Sequence, residues 1–359
     1  MGKSTLTLIT LCIVLSGAAI ANKTEKGAFG QVRLGYVNTD DNTSNLDSLA
    51  TGGKLGYKSN TYYGLNSGVT FYTSQPVGGV NNNSLFFDSN NKGYSILGEA
   101  YINADLEQTS IKFGRQEIET PFADSNDRGM IPNTFESLMI INTSLTDTTL
   151  LASHLHRWAG VDVEPEPENF IKLNGTNGVN ILGVIYIPSD KWNAQAWYYS
   201  AKNSTNTSYL ETAISPLENI EFGLQYGNQN GGDTNGKVWG LKVDYEIGDF
   251  ILSAAHNDVS NGQVINGYGD EFGGGPFFTS AEENSIDGVV DQEASALSVE
   301  YTGFNKLTLA ASHYAFDKSE DELDLVANYM FSENLAADFV YSDLGNDGSV
   351  TRVFLNYNF

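Results

Sequence analysis

Three groups of side chains in this sequence have types and spacings that could do chemistry. His154 and His156 stand two residues apart with Asp162 close behind, the materials of a base and an orienting acid. In an extended segment residues two apart point the same way. A nucleophile, its base and its orienting group also need mutual geometry, and no G-x-S-x-G or His-rich metal spacing accompanies these residues. The expectation is no enzymatic activity and no cofactor. The acids at 40–42 and 124–127 offer oxygen ligands, but neither stretch has EF-hand spacing with its terminal Glu, so they read as solvated loop acids. The third group is the largest. Arg33, Lys54, Lys112, Lys242 and Arg352, together with Glu99, Glu211, Glu221, Asp244, Glu300, Asp324 and Asp338, occupy alternate positions in segments whose other positions are mostly apolar. Such charges line a wall that is wet on one side and apolar on the other.

Strands must position them. At the C-terminus Thr351, Val353, Leu355, Tyr357 and Phe359 share one face, while Arg352, Asn356 and Asn358 share the other. The same alternation marks strand candidates at 29–38, 51–59, 65–74, 94–105, 108–116 and 134–142, then 147–157, 178–187, 192–201, 206–214, 219–229 and 236–246, and finally 249–257, 292–301, 306–314, 322–331, 334–343 and 350–359. Connections after even-numbered candidates are tight, as at 106–107, 188–191 and 247–248. After odd-numbered ones lie the long connections 39–50, 75–93, 117–133, 158–177 and 258–291. A soluble sandwich has no reason to sort connections by parity. A closed barrel with two distinct rims does, so the expected fold is an all-β, transmembrane, antiparallel β-barrel of about 18 strands, with long extracellular loops, short turns and both termini on the periplasmic side. Barrels of roughly 16 to 18 strands leave an aqueous channel.

Composition agrees. Lys3, an apolar run from Leu6 to Ile20 and Ala19-Ile20-Ala21 read as a secretory signal peptide at 1–21, which leaves one barrel domain at 22–359. Cleavage there removes Cys12, the single cysteine, and with it any thiol chemistry. A mean hydropathy of -0.26 suggests a soluble chain, but in a barrel half of each strand is wet and the average hides the lipid-facing band. The 19 Tyr and 19 Phe suit girdles at the two membrane interfaces. A net charge of -25 argues against nucleic-acid partners.

Residues 117–133, reading EIETPFADSNDRGMIPN, follow the fifth strand candidate and carry Glu117, Glu119, Asp124, Asp127 and Arg128 between the stiffening Pro121 and Pro132. They are the expected constriction loop. Pro121, Ser125, Asp127, Arg128, Pro132, Thr134, Phe135 and Glu136 together resemble the OprD-type outer-membrane porins, as do 93–101, Gly114-Arg115-Gln116 and 272–278. The resemblance covers essentially the whole mature chain and looks closest to the epsilonproteobacterial branch. It implies an 18-stranded channel, an inward-folded third loop, and a row of basic side chains that guides small solutes, often carboxylate-bearing nutrients.

Strand parity turns Arg33, Lys54, Lys112, Lys242 and Arg352 toward the lumen, and the first, second and last strands are neighbours once the barrel closes. Arg33, Lys54 and Arg352 are thus expected on one basic track. Glu99 and Asp244 belong with them in the pore lining. The inward acids depart from a purely basic ladder: opposed walls of unlike charge would orient a dipolar solute, and the acidic surplus would equally favour cations, so the charge pattern leaves carboxylate and cation preference both open. Arg115 shares parity with Ile111 and Phe113 and faces lipid if the strand stays regular; near a strand end it can snorkel to the interface or turn inward at the loop. The expected activity is passive diffusion of small hydrophilic solutes, with outer-membrane lipid as the surrounding partner. A homotrimer fits the same pattern, because a subunit interface reads as apolar as lipid contact. A surface adhesin with an incidental lumen is the alternative, and liposome swelling separates the two.

Overall fold

Period-two alternation of apolar with small or polar residues builds one continuous antiparallel ladder. The computed structural model describes residues 26–81, 85–126, 128–163, 166–232, 234–268 and 275–359. The signal-peptide reading and Cys12 lie outside the described residues. The strands are β1 (Gly27–Asp40), β2 (Asn45–Lys58), β3 (Leu65–Asn81), β4 (Tyr94–Leu106), β5 (Thr109–Gln116), β6 (Thr134–Asn142), β7 (Thr148–Ala159), β8 (Ile171–Lys172), β9 (Val179–Ser189), β10 (Trp192–Ser200), β11 (Asn206–Leu217), β12 (Ile220–Asn230), β13 (Gly236–Ile247), β14 (Phe250–Ser260), β15 (Glu293–Phe304), β16 (Leu307–Phe316), β17 (Glu322–Met330), β18 (Leu335–Asp343) and β19 (Ser349–Asn358). Each long strand pairs with its neighbours in sequence, β7 pairs with β9, and β1 pairs with β19 from Gln31↔Asn358 to Asp40↔Ser349. Closure leaves no free edge. Among the described residues, eighteen strands form the ring, and the two-residue β8 adds to the end of β7.

The outer face is apolar and the inner face is not. Phe222, Leu224, Leu241, Val353 and Leu355 are exposed on the outside, whereas Arg33, Arg352 and Asn356, one strand position away, are about as buried as core residues. Apolar groups that face outward all round a closed sheet are stable only in hydrocarbon. On β13 the outward Trp239 and Tyr245 bracket Leu241 and Val243. Their spacing is about 20 Å at roughly 3.3 Å per residue, close to the height of a barrel's apolar band. Tyr57, Phe250, Tyr301, Phe304, Tyr329 and Tyr357 ring the rim that carries both ends of the ladder. No helix among the described residues is long and apolar enough to cross a membrane.

At that rim the connections are tight. The 248–249 turn needs Gly248 at φ 64, a conformation a side chain disfavours. At the other rim one expected long loop is absent. The ladder of β1 and β2 continues through Thr39↔Leu46 and Asp40↔Asn45, so 39–50 is not a long connection but two strand ends joined by residues 41–44. Polar residues on both faces made this segment read as a loop, whereas a strand that has climbed past the bilayer meets water on both sides. The turn is closed by the Asp41 carboxylate, which accepts the backbone N–H groups of Thr43 (2.9 Å) and Ser44 (2.6 Å) and the Thr43 hydroxyl (2.7 Å). These bonds hold its carboxyl well below the usual range. β3 likewise runs on to Asn81, beyond the expected end at 74.

Candidate functional site: two loops across the lumen

Leaving β5, residues 117–133 fold into the barrel. The N–H of Thr120 donates to the Ala123 carbonyl (2.9 Å) and the N–H of Ala123 to the Thr120 carbonyl (3.2 Å), a tight turn with Pro121 and Phe122 at its tip. The Phe122 ring stands edge-on to Tyr199 and Tyr209, both at 5.4 Å, and to Phe277 at 5.9 Å. Its N–H donates to the Tyr199 hydroxyl (3.2 Å) and its carbonyl accepts the Tyr268 N–H (2.7 Å). Seven residues later the loop reaches a different wall, where the Arg33 guanidinium donates to the Gly129 carbonyl (2.7 Å). Gly35 makes room for it, since a Cβ there would come within 2.6 Å of the Met130 sulfur. β10 and β11 lie across the ring from β1, so the segment from Phe122 to Gly129 crosses the lumen.

A second loop, described at 261–268 and 275–292, also folds inward, and nothing in the sequence had singled it out as an inward loop. Wall-facing amides hold it. Gln225 donates to the Pro276 carbonyl (2.9 Å) and accepts from the N–H of Phe278 (3.0 Å), while Gln229 donates to the Ile265 carbonyl (2.8 Å) and accepts its N–H (2.7 Å). Asn257 accepts from the N–H of Thr279 (3.0 Å) and donates to Gln225 (2.6 Å). Each primary amide offers one donor side and one acceptor side, so it pairs with a loop peptide as another strand would. The signal available in the sequence was the set of amides on the inner face of β12 and β14, whose burial requires a partner.

The two loops meet through charge. Arg128 pairs with Glu283 (3.2 Å) and lies 3.8 Å from Asp162. Arg352, fully buried, binds both Glu282 and Glu283, the latter at 2.8 Å. Glu322 accepts the N–H groups of Glu283 (3.0 Å) and Asn284 (2.8 Å), and Asp324 accepts that of Glu282 (3.2 Å). Burial pushes Glu282 up to about 7, although the Arg352 and Arg128 guanidinium groups pull it back. Glu119, hydrogen-bonded by the Ser125 hydroxyl, is likewise raised to about 7, and Asp124 to about 6, both chiefly by burial.

Arg33, Lys54 and Arg352 fall on adjacent strands but are staggered, with Lys54 opposite Gln31 and Arg352 opposite Val37. They form a diagonal whose ends are spoken for: Arg352 by the two glutamates, Lys54 by Glu117 at 3.6 Å. Arg33 is held by the Asn356 amide oxygen (2.8 Å) and the Gly129 carbonyl. On β4 and β5, Glu99 accepts the Thr70 hydroxyl (2.6 Å), lies 4.0 Å from Lys112, and Lys112 sits 3.9 Å over the Tyr101 ring. Across the ring, Lys242 pairs with Asp244 (2.9 Å), and Glu211 and Glu221 share the same inner face on β11 and β12. Glu211 accepts from Gln195 (3.0 Å), Glu221 from Ser215 (3.1 Å). The β2–β5 sector therefore sets Lys54 and Lys112 beside Glu117 and Glu99, and the β11–β13 sector across the ring carries more acid than base. Asp127 lies outside the described residues.

The histidines and Asp162 are not brought together. His154 is on the outer face with Leu138 as its neighbour and its Nδ1 is 2.9 Å from Asn180, while Asp162 is buried inside, accepting from Asn126 (2.8 Å) and Asn133 (2.6 Å). Arg115 stays on the outer face, where it pairs with Glu136 (3.1 Å).

The family model described as "outer membrane porin, OprD family" matches residues 87–271. Among solved structures, Pseudomonas aeruginosa OccK8 (OprE) is similar to this chain at 17% identity with a TM-score of 0.80, covering 93% of this chain and 98% of that one. Pseudomonas aeruginosa OpdK, solved with vanillate, is similar at 14% identity and a TM-score of 0.78, covering 92% and 98%. A BenF-like porin from Pseudomonas fluorescens Pf-5 gives 16% identity and a TM-score of 0.78, covering 93% and 98%. Among curated proteins none matches the chain in sequence.

Proposed function

Because this chain belongs to the OprD family of outer-membrane porins, we propose that it carries small dipolar solutes bearing a carboxylate, amino acids among them, passively past the two inward loops. The observation that carries this reading is the pair of opposed sectors. Lys54 and Lys112, each beside an acid (Glu117 and Glu99), lie on one side of the lumen, and Glu211, Glu221 and Asp244, with Lys242 among them, lie on the other. In a confined, partly desolvated passage such charges act with less screening than in bulk water. A zwitterion that turns its carboxylate to the lysines and its ammonium to the acids opposite meets attraction on both ends, with Glu117 and Glu99 offsetting part of the pull of Lys54 and Lys112. Vanillate, bound by OpdK, is itself a small carboxylate and is compatible with the lysine-bearing half of this arrangement.

In this reading Arg33, Lys54, Glu99, Lys112, Lys242, Asp244 and Arg352 line the pathway. Glu117, Glu119, Asp124 and Arg128 belong to its narrowest part. The mature protein is 22–359 after loss of the 1–21 signal, its termini are periplasmic, its outer face contacts lipid or a second and third copy, and it falls in the epsilonproteobacterial branch. Liposome swelling tests the solute class. Zwitterionic amino acids should enter faster than sugars of equal size, and equal rates would sink the dipolar selectivity while leaving a general porin.

A further inference from the structure

The outer wall carries a charged row that the pore does not use. The register places Arg115 of β5 opposite Glu136 of β6, Glu136 opposite Arg157 of β7, and Arg157 opposite Lys172 of β8. Directly paired residues on adjacent strands point to the same face. Arg115 shares its face with Phe113, and Glu136 with Leu138, both exposed on the apolar exterior. The row lies at the long-loop end of β5, β6 and β7, where an outer-membrane barrel emerges from the outer leaflet. Glu136 reaches both arginines, 3.1 Å from the Nε of Arg115 and 3.6 Å from that of Arg157, the second too long for a hydrogen bond. One acid therefore orients two guanidinium groups without neutralising them. The Phe170 ring lies 4.1 Å from the Arg115 guanidinium carbon and fixes its plane. Arg115 and Arg157 remain about one third exposed or more, at 34% and 40%.

We propose that Arg115, Arg157 and Lys172 bind the phosphates of the phosphorylated saccharolipid of the outer leaflet, with Glu136 as the positioning residue. In a chain of net charge -25, three cations gathered around one acid on the outer wall complement an anion of the membrane. Arginine forks suit phosphate oxygens. The apolar surface at Phe113, Leu138 and Ile140, just below on the same strands, suits the acyl chains of the same lipid.

The test uses the purified full chain in detergent, with bis-phosphorylated lipid A, the same lipid stripped of phosphate, and inorganic phosphate as probes. At about fivefold per basic group near a membrane surface, the Arg115→Ala/Arg157→Ala protein should bind lipid A about 30-fold more weakly, and Lys172→Gln about fivefold more weakly. The stripped lipid should bind the unaltered protein no better than lipid A binds the double variant, and inorganic phosphate should not displace lipid A. Unchanged single-channel conductance certifies the double variant as folded. If it does not fold, Lys172→Gln decides, because its side chain is exposed on a two-residue strand. Wild-type affinity in the variants, equal binding of the stripped lipid, or displacement by inorganic phosphate overturns the proposal.

Discussion

Loops 117–133 and 261–292 both fold into the lumen, yet they are held by different forces. The first is wedged by an aromatic side chain at its tip and caught at its far end by Arg33. The second is bonded to the wall by the amides of Gln225, Gln229 and Asn257 and anchored by carboxylates on Arg352. The contrast teaches that a wet barrel can fix a loop either by excluding water from a ring cluster or by extending its own hydrogen bonding inward. The Phe122 wedge itself holds no carboxyl group, although the same loop carries Glu119 and Asp124. The second ends in ionisable groups.

The largest effect should come from breaking the wedge. Phe122→Ala removes contacts with Tyr199, Tyr209 and Phe277, and should cost about 3 to 5 kcal/mol of loop packing, seen as flickering or enlarged current steps in a planar bilayer. Quiet, wild-type-sized steps would show that the ring is not what holds the loop. Asn257→Ala should cost about 1 to 3 kcal/mol, because the N–H of Thr279 and the Gln225 carbonyl oxygen lose a buried partner. Protease cleavage confined to 261–292 would register it, and equal cleavage of both loops would erase the distinction between them.

The pH response sharpens the comparison further. Burial raises Glu282 to about 7, so ionising it opposes packing of the second loop. In the unfolded chain a glutamate ionises near about 4.3. Packing is thus most favourable below about 4.3, weakens as pH rises toward 7, and is constant above it. Glu119 and Asp124 share the sign, with values of about 7 and about 6. Lowering the pH from about 8 to about 5 should therefore cut cation preference in reversal-potential measurements, and Glu282→Gln should flatten part of that change. An increase in cation preference on acidification has the wrong sign for this account. The smallest effect belongs to Arg33, Lys54 and Arg352. Neutralising all three should shift the preference modestly toward cations, because Arg352 and Lys54 already face acids.

The wall was legible in the sequence and the second inward loop was not, for a physical reason. Outward residues such as Leu224 and Leu355 answer to hydrocarbon alone, so period two survives unmixed along their strands. The same parity placed Arg33, Lys242 and Arg352 on the inner face. Which inward groups meet depends on loop paths with no period. Gln225 reads as an ordinary wet-wall residue until Pro276 and Phe278 arrive beside it, and Arg352 as a free cation until Glu282 does. The loop 117–133 was legible because its prolines, charges and family-like residues are contiguous. The 39–50 segment misled because polarity above the bilayer marks solvent on both faces, not the absence of a strand.

The claim on which the rest depends is that a water-filled lumen is crossed by the segment from Phe122 to Gly129. Single-channel conductance of a variant lacking residues 120–126, compared with the intact protein in the same salt, tests it directly. The account predicts a larger current step, about twofold or more given the open cross-section of an 18-stranded barrel. A step equal to that of the intact protein would place the loop outside the conducting path.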